Sequence, residues 1–469
     1  MRRCENPSQM TNLKRLAKLF AILLPVVGPA VAFADQPPSI VFIVADDMGY
    51  ADISSFGAPD LKTPNIDQLA ADGVKFTNIY AMGPECTPSR VSYLTGRYPQ
   101  RVGGLECAIG TGNVGRYDDA IRLAEESDLG LPAEYAVLAP QLKKAGYYNG
   151  VFGKWHLGYE PKFLPLEQGF DEFVGFLGGN VDYFRHKELS DLPVYYEGGK
   201  PIQREGYTTD LITEDAVGFL EERSKGPTQP FFLYIPHAAP HFPFQGPDED
   251  PGGLPGADEW TKGTRESYIA MMQSLDDSVG EVVATLERSG LSENTIVVFT
   301  SDHGAMVPGL NDPWRDYKST LFEGGVRVPL LVKWPGKLNP GTESAQVGSL
   351  MDLTRSFLNV AGAKLPQGLT LDGDDLLEHL RNGDPIYPRE LNWRARRGDR
   401  TQWAIRDGDD KYIRRTEGGE TEEWLFDLKT DPTETTNLLE GAPTEKANKI
   451  ANRLRKKNQD WEKKVKPER

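Results

Sequence analysis

Four runs of apolar residues, each emptying into a polar tail, constrain this chain more than any other feature. "SIVFIVA" leads into Asp46-Asp47, "YYNGVF" into "GKWH" at residues 153–156, "PFFLYIP" into "HAAPHFP", and "NTIVVFT" into "SDHG" at residues 301–304. An alternating strand can leave one face to water, but a continuous apolar run has to be covered on both faces, as in parallel sheets under helices. Helical segments alternate with the runs: "TPNIDQLAADG", "EYAVLAPQLKKAG" and "TRESYIAMMQSLDDSVGEVVATLERSG". The expected fold is therefore α/β, a large, mostly parallel, doubly wound sheet flanked by helices. Ligands of such sheets bind beyond the carboxyl ends of the strands, so the four polar tails are expected on one rim.

Beyond about residue 365 the pattern changes. "LNWRARRGDRTQWAIRDGDDKYIRRTEGGETEEWLFDL" has short alternating stretches broken by Gly-Asp and Gly-Gly turn signals, which suggests antiparallel hairpins. A terminal helix, "PTEKANKIANRLRKKNQDWEKKV", follows, and its Lys/Arg density reads as a solvated face. This divides the chain into a larger region at residues 35–380 and a smaller C-terminal subdomain, antiparallel sheet plus helix, at residues 381–469. Residues 246–263, rich in Gly, Pro and acids, read as a surface loop.

Residues 1–34 do not read as fold. A basic stretch with Arg2, Arg3, Lys14, Arg15 and Lys18 precedes the apolar "LFAILLPVVGPAVA" and the small-x-small triplet Ala32-Phe33-Ala34. That is the layout of a signal peptide cleaved near Ala34, and the run, interrupted by Pro25, is short for a membrane span. The mature chain is expected to be exported, to the periplasm or the exterior, with no stable membrane insertion. The net charge of −16 argues against nucleic acid and anionic lipid as partners, but not against an anionic substrate in a locally basic pocket. Of three cysteines only Cys86 and Cys107 survive cleavage, so a bridge between them is the plain alternative to a reactive thiol.

Cys86 stands in "PECTPSR". Thr87 can cap a helix whose first position is Pro88 and whose stop is Gly96. The thiol is then expected to be exposed at a helix mouth, beside free N–H groups and the positive end of the dipole. Other chemistry gathers at the polar tails. Asp46, Asp47 and Asp302 are three carboxylates at strand ends, a set of hard oxygen donors that suits calcium, or less well magnesium, better than zinc. Four of the six histidines, His156, His237, His241 and His303, fall at the same exits, with Lys154, Lys318 and Arg90 nearby in sequence. Phosphate and sulfate esters both fit such a cleft.

With "VADDMGY", "CTPSRVSYLTGR", "GYYNGVFGKWHLG", "PHFP", "SDHG", "YKSTLFEGGVRVP" and "LFDLKTDPTETTNL" in this order, the chain resembles the type I sulfatases of the alkaline-phosphatase superfamily, over nearly all of its mature length. The resemblance is strongest to the arylsulfatase and N-acetylgalactosamine-6-sulfatase branch. It implies that a maturation enzyme oxidises Cys86 to formylglycine, whose hydrated aldehyde attacks sulfur with one hydroxyl and expels sulfate with the other. It also implies a calcium ion held by Asp46, Asp47, Asp302, His303 and residue 86. Arg90 matches the arginine that steadies the nucleophile, Lys154 a bridge between nucleophile and sulfate, and His156 the base of the release step. His241 and Lys318 match the pair that grips sulfate and assists the leaving oxygen, whereas His237 has no counterpart.

Some positions depart from the family pattern. His303 stands where Asn is frequent and offers nitrogen to a hard cation, Glu85 stands where small or apolar residues are common, and Asn149 and Phe152 differ ahead of "GKWH". Two other readings of the residues stay open: a phosphomonoesterase or phosphodiesterase of the same superfamily, and a non-catalytic sulfated-glycan-binding protein that keeps an unmodified Cys86. The implied substrate is a sulfated saccharide, with specificity expected from the segments between the motifs, residues 102–119, 178–188 and 246–263, where Tyr183, Arg185 and His186 are expected to stack on and pair with its ring.

Overall fold

The computed structural model of the chain describes residues 36–190, 195–226 and 228–467. The expected leader at residues 1–34, and with it Cys4, lies outside them. From Pro37 onward the chain is one compact unit. Its strands, in chain order, are β1 Ser39–Ala45, β2 Val74–Tyr80, β3 Tyr148–Lys154, β4 Glu172–Phe176, β5 Tyr195–Glu197, β6 Lys200–Pro201 and β7 Phe231–Pro236. Then come β8 Thr295–Ser301, β9 Arg327–Lys333, β10 Thr342–Ser344, β11 Gly348–Ser349, β12 Glu390–Arg397, β13 Arg400–Asp407, β14 Asp410–Glu417 and β15 Glu420–Asp427.

The first eleven form one sheet in the order β10-β2-β9-β8-β1-β7-β3-β4-β5-β6, with β11 also beside β2. The four apolar runs are β1, β3, β7 and β8, and they lie side by side as the parallel block β8-β1-β7-β3. Their polar tails therefore leave from one rim, as expected. The sheet turns mixed toward its ends: β9 runs antiparallel to β8 and β2, and β5 antiparallel to β4.

Both faces of β1 are buried, which is why it carries no polar alternation. Ile40, Phe42 and Val44 enter one core with Val91, Leu138, Leu353 and Phe357, from the helices Cys86–Thr95, Leu138–Lys144 and Met351–Val360. Val41, Ile43 and Ala45 enter the other with Ile66, Ile212, Phe219, Met271 and Val279, from the helices Pro64–Asp72, Thr208–Lys225 and Arg265–Arg288. At about 1.5–3 kcal/mol per buried large apolar side chain, this two-sided burial is what holds the rim in place. Gly153 is required where β3 meets β7. Its φ is +126°, and a Cβ there would stand 2.1 Å from the carbonyl oxygen of Pro236. Only glycine lets the backbone pass and deliver Lys154 to the rim.

The second sheet, β12-β13-β14-β15, is a plain antiparallel meander. One face packs Leu391, Trp393, Ile413 and Phe426 against Tyr80, Met82, Phe322 and Met351; the other packs Ile405, Tyr412 and Leu425 against Ala447, Ala451 and Leu454 of the terminal helix Glu445–Lys464. Between the two sheets lies a buried ionic knot. Lys411 bonds Glu323 at 2.8 Å and Glu434 at 2.9 Å, Tyr80 donates its hydroxyl proton to Glu323 at 2.6 Å, and the Glu323 amide donates to Glu434 at 2.6 Å.

Two carboxylates on one ammonium do not ionise alike. Burial, only partly offset by Lys411, pushes Glu434 up to about 7, while Lys411 and Arg327 overcome burial and hold Glu323 below its ordinary value. The folded chain keeps the Glu434 proton more tightly than an unfolded one, so this carboxyl's contribution to stability falls as pH rises from 4.5 to about 7. Glu434→Gln, a fixed mimic of the protonated acid, is expected to gain on the parent across that window. Urea midpoints at about pH 5 and about pH 8 check this, and a pH-independent difference contradicts it.

Candidate active site

The rim assembles around residue 86. The helix carrying it starts at Cys86 itself, with Glu85 as the flanking cap residue and no side-chain cap bond. Thr87 is thus not the cap and Pro88 is not the first position; the Thr87 hydroxyl instead donates to the His156 carbonyl at 3.1 Å and accepts from the Ile109 amide at 3.2 Å. Gly96, at φ +66°, ends the helix as expected. The thiol is not exposed either: Cys86 is 1% accessible. It is covered by contacts distant in sequence, which a local motif does not reveal. Cys107 is also a free, buried thiol, so the two form no bridge.

Cys86 Sγ lies 3.3 Å from Asp46 Oδ1, 3.3 Å from Lys154 Nζ, 3.3 Å from His303 Nε2 and 3.8 Å from Lys318 Nζ. Arg90, one helical turn on, reaches Asp302 at 3.2 Å and Asp46 at 3.5 Å, and also bonds the Lys154 carbonyl and the Tyr234 hydroxyl. Lys154 pairs with Asp46. Lys318 bonds both oxygens of Asp47, at 2.6 and 2.9 Å, and His241 Nε2 at 3.1 Å. Asp47 and His156 hold left-handed backbone, φ 63° and 57°, which is strained for both residue types and aims them off the strand direction.

The three carboxylates are essentially inaccessible to water. Burial, reinforced by Asp302, pushes Asp46 up to about 6; for Asp302 burial acts the same way, but His303, Arg90 and Lys154 outweigh it and hold the group below its usual range. Burial and then Asp46 raise the Cys86 thiol well above its ordinary value, so the cysteine is a neutral thiol and a poor nucleophile. Burial and the neighbouring lysines depress His156 and His241, which leaves both rings neutral.

The ring nitrogens can be told apart, because a carbonyl only accepts. His241 Nδ1 faces the Phe242 carbonyl at 2.8 Å, so its neutral ring presents a lone pair at Nε2; His303 Nδ1 faces the Gly304 carbonyl at 2.9 Å and carries a proton, with Nε2 turned to Cys86. His156 is reversed. Its Nε2 donates to the Ile109 carbonyl at 2.9 Å, and its buried Nδ1 lone pair has no partner among the described residues.

Donor atoms of Asp46, Asp47, Cys86 and His241, and of Asp46, Cys86, Asp302 and His303, lie within 4.8 Å of one another. Each set holds two buried carboxylates, with Asp46 common to both, and such oxygens fit a hard divalent cation. His237 stands apart: its Nε2 pairs with Ser278 at 3.1 Å, burial lowers it to about 3, and it is a structural residue. Of three residues expected to touch substrate, two belong to the core and the third is held in a surface ion pair. Tyr183 is fully buried and donates to the His241 carbonyl, His186 is buried between the Arg204 and Gly206 carbonyls, and Arg185 pairs with Asp250.

A cleft of about 290 Å³ opens over residue 86. His156, His241 and Lys318 line it, joined by Glu85, Arg116, Asn180, Thr261 and Arg397; Arg116, Asn180 and Thr261 fall in the three segments where the sequence places specificity. Glu85 carries a signal as a departure from the family pattern, and Arg397 carries none in the sequence.

A family model described as Sulfatase matches residues 38–363, and one described as N-sulphoglucosamine sulphohydrolase, C-terminal, matches residues 313–464. The chain is 36% identical over 392 residues to N-acetylgalactosamine-6-sulfatase of Mus musculus, covering 79% of this chain and 72% of the relative. It is 33% identical over 435 residues to the Ulvan-active sulfatase of Formosa agariphila, covering 86% and 78%. The crystal structure of Ps i-CgsB superposes with a TM-score of 0.78 at 30% identity, over 91% of this chain and 93% of that one; another structure of that protein is a complex with k-i-k-neocarrahexaose. The chain belongs to the sulfatase family, as a type I sulfatase of the alkaline-phosphatase superfamily. It is accordingly a sulfuric ester hydrolase.

Arg90 is the cation shared by two of the buried acids. Replacing it with Met leaves them undercompensated, with an expected stability loss of about 3–5 kcal/mol in chemical denaturation. A loss below about 1 kcal/mol contradicts this electrostatic account.

Proposed function

We propose that this sulfatase hydrolyses sulfate esters of sulfated carbohydrates, with residue 86 matured from cysteine to formylglycine and a calcium ion held by Asp46, Asp47, Asp302 and His303. The observation that carries the reading is the position of residue 86, within 3.3 Å of an acid, a lysine and a histidine ring nitrogen at once. A thiol kept protonated there has little reactivity of its own. The substrate class is supported by the relatives named for N-acetylgalactosamine-6-sulfate and ulvan and by the carrageenan-type ligand of the similar structure.

Formylglycine supplies a hydrated aldehyde, with one hydroxyl to take the sulfuryl group and a second to release it. Calcium supplies positive charge to the nucleophile and the sulfate. The chain's own residues do the rest. Arg90 and Lys154 set positive charge against the ionising hydroxyl. Lys318 Nζ, oriented by its bond to the His241 Nε2 lone pair at 3.1 Å, binds a sulfate oxygen and donates a proton to the departing sugar oxygen. His156, neutral with a free Nδ1, takes the proton of the second hydroxyl in the release step. The charges agree with this: three acids cancel Arg90, Lys154 and Lys318, so a divalent ion leaves a surplus that a sulfate monoester and one ionised hydroxyl neutralise.

The basic and apolar stretch at residues 1–34, closing on Ala32-Phe33-Ala34, supports export. Maturation of residue 86 requires a formylglycine-generating enzyme as partner.

Mass spectrometry of the peptide spanning "PECTPSR" is expected to show the aldehyde in active preparations, and Cys86→Ala to lose at least about a thousandfold in sulfate release from N-acetylgalactosamine 6-sulfate, ulvan or carrageenan oligosaccharides. Retained turnover in that variant, or faster hydrolysis of aryl phosphates than aryl sulfates by the parent, contradicts the reading. Calcium at a hundredfold over its Kd is expected to add about 2.7 kcal/mol of stability, removed by a chelator. An unchanged melting temperature on chelation contradicts the metal assignment.

A further inference from the structure

The cleft carries positive charge that sulfate-ester chemistry at residue 86 does not use. Arg116 lines it from the turn that follows the small Gly110–Val114 bridge, and Arg397 lines it from the end of β12. The two segments are tied together by a hydrogen bond from the Gly398 amide to the Arg116 carbonyl, 2.7 Å. The C-terminal sheet therefore builds part of the substrate wall.

The arginines differ in their company. Arg397 is held by Glu85 at 2.9 Å, and that buried carboxylate is itself fixed by the Ser319 hydroxyl at 3.0 Å and the Ala108 amide at 2.8 Å. Glu85 thus occupies the position before the nucleophile as a positioning residue for Arg397, which explains its departure from the family pattern. Arg397 remains 41% exposed at its side chain, with further N–H groups to offer. Arg116 is half-buried and has no side-chain hydrogen bond or ion pair among the described residues. In a chain with 69 acids against 53 basic residues, a half-buried guanidinium without an acid beside it needs a reason. Asn180 adds to the wall: its Oδ1 takes the Trp260 indole proton at 3.0 Å, which leaves its amide protons without a partner among the described residues.

We infer that Arg116 and Arg397, the latter set by Glu85, form a subsite for a second anionic group on the saccharide, a sulfate or a carboxylate on the reacting sugar or its neighbour. His156 and His241 are neutral, so the guanidinium groups supply the cleft's charge outside the reacting centre, and their planar forks match both anions. The inference rests on the sulfated-carbohydrate reading above and narrows it to substrates with at least two negative groups.

The test is calorimetric titration of the full-length Cys86→Ala protein, which reads binding without turnover. The probes are N-acetylgalactosamine 6-sulfate, N-acetylgalactosamine 4,6-disulfate, and a uronate-containing disaccharide of the 6-sulfate. Arg116→Ala in that background is expected to weaken the dianionic probes about tenfold more than the monosulfate, and Arg116→Lys to recover part of the loss. A selective loss on the disulfate identifies sulfate as the second group; one on the uronate probe identifies carboxylate. Glu85→Gln is expected to weaken the same probes by a smaller factor. Equal weakening of all three, or none, overturns the subsite. If the mature parent hydrolyses 4-nitrophenyl sulfate but no sulfated saccharide, the substrate class fails instead, and the titrations still decide the subsite.

Discussion

Three carboxylates gathered around one residue cannot be buried without countercharge, and the architecture of this chain answers that constraint. Asp46 and Asp47 leave the end of β1 and Asp302 the end of β8, while Lys154 arrives from β3, Arg90 from the helix behind residue 86, and Lys318 from the segment before β9. No two of these cations come from the same element. The parallel block β8-β1-β7-β3 is the frame that lets separate stretches meet on one rim, and its two-sided apolar burial keeps them there. The result is a dry, charge-balanced centre in which every group next to residue 86 already has its orientation, the condition under which fixed dipoles and charges act on a reaction most strongly.

What could be read in the sequence followed physical locality. The runs forming β1, β3, β7 and β8 are legible because a strand buried on both faces has no polar residue to hide its period. Their tails are legible because Asp, His and Lys at the end of such a strand have few structural uses. β2 and β9 are harder: β2 alternates buried and half-buried positions and β9 carries Pro329, a residue that argues against an interior strand. The antiparallel turn of the sheet at β9 therefore does not announce itself.

Burial was the property least accessible to local reading. Cys86 looks like a surface thiol in "PECTPSR" because its cover is contributed by residues distant in sequence, Lys154 68 positions on and His303 and Lys318 more than two hundred. Tyr183 and His186 look like a carbohydrate platform, yet they are core residues, since an aromatic beside polar neighbours has the same signature in both settings. The specificity wall is legible in part, since Arg116, Asn180 and Thr261 fall in segments between the motifs, but not in its contribution from the second sheet. Arg397 belongs to a different sheet, and only the fold brings it beside Glu85 across 312 positions.

Everything in the chemical account depends on the three acids serving a divalent cation beside residue 86 as well as their basic neighbours. A crystal structure of the mature protein grown with calcium, with anomalous scattering used to place the ion, tests that most directly. The account expects one peak bonded by oxygens of Asp46, Asp47 and Asp302 and adjacent to an oxidised residue 86. Saturating calcium with no peak there, and all three carboxylates still bonded only to Arg90, Lys154 and Lys318, would contradict it.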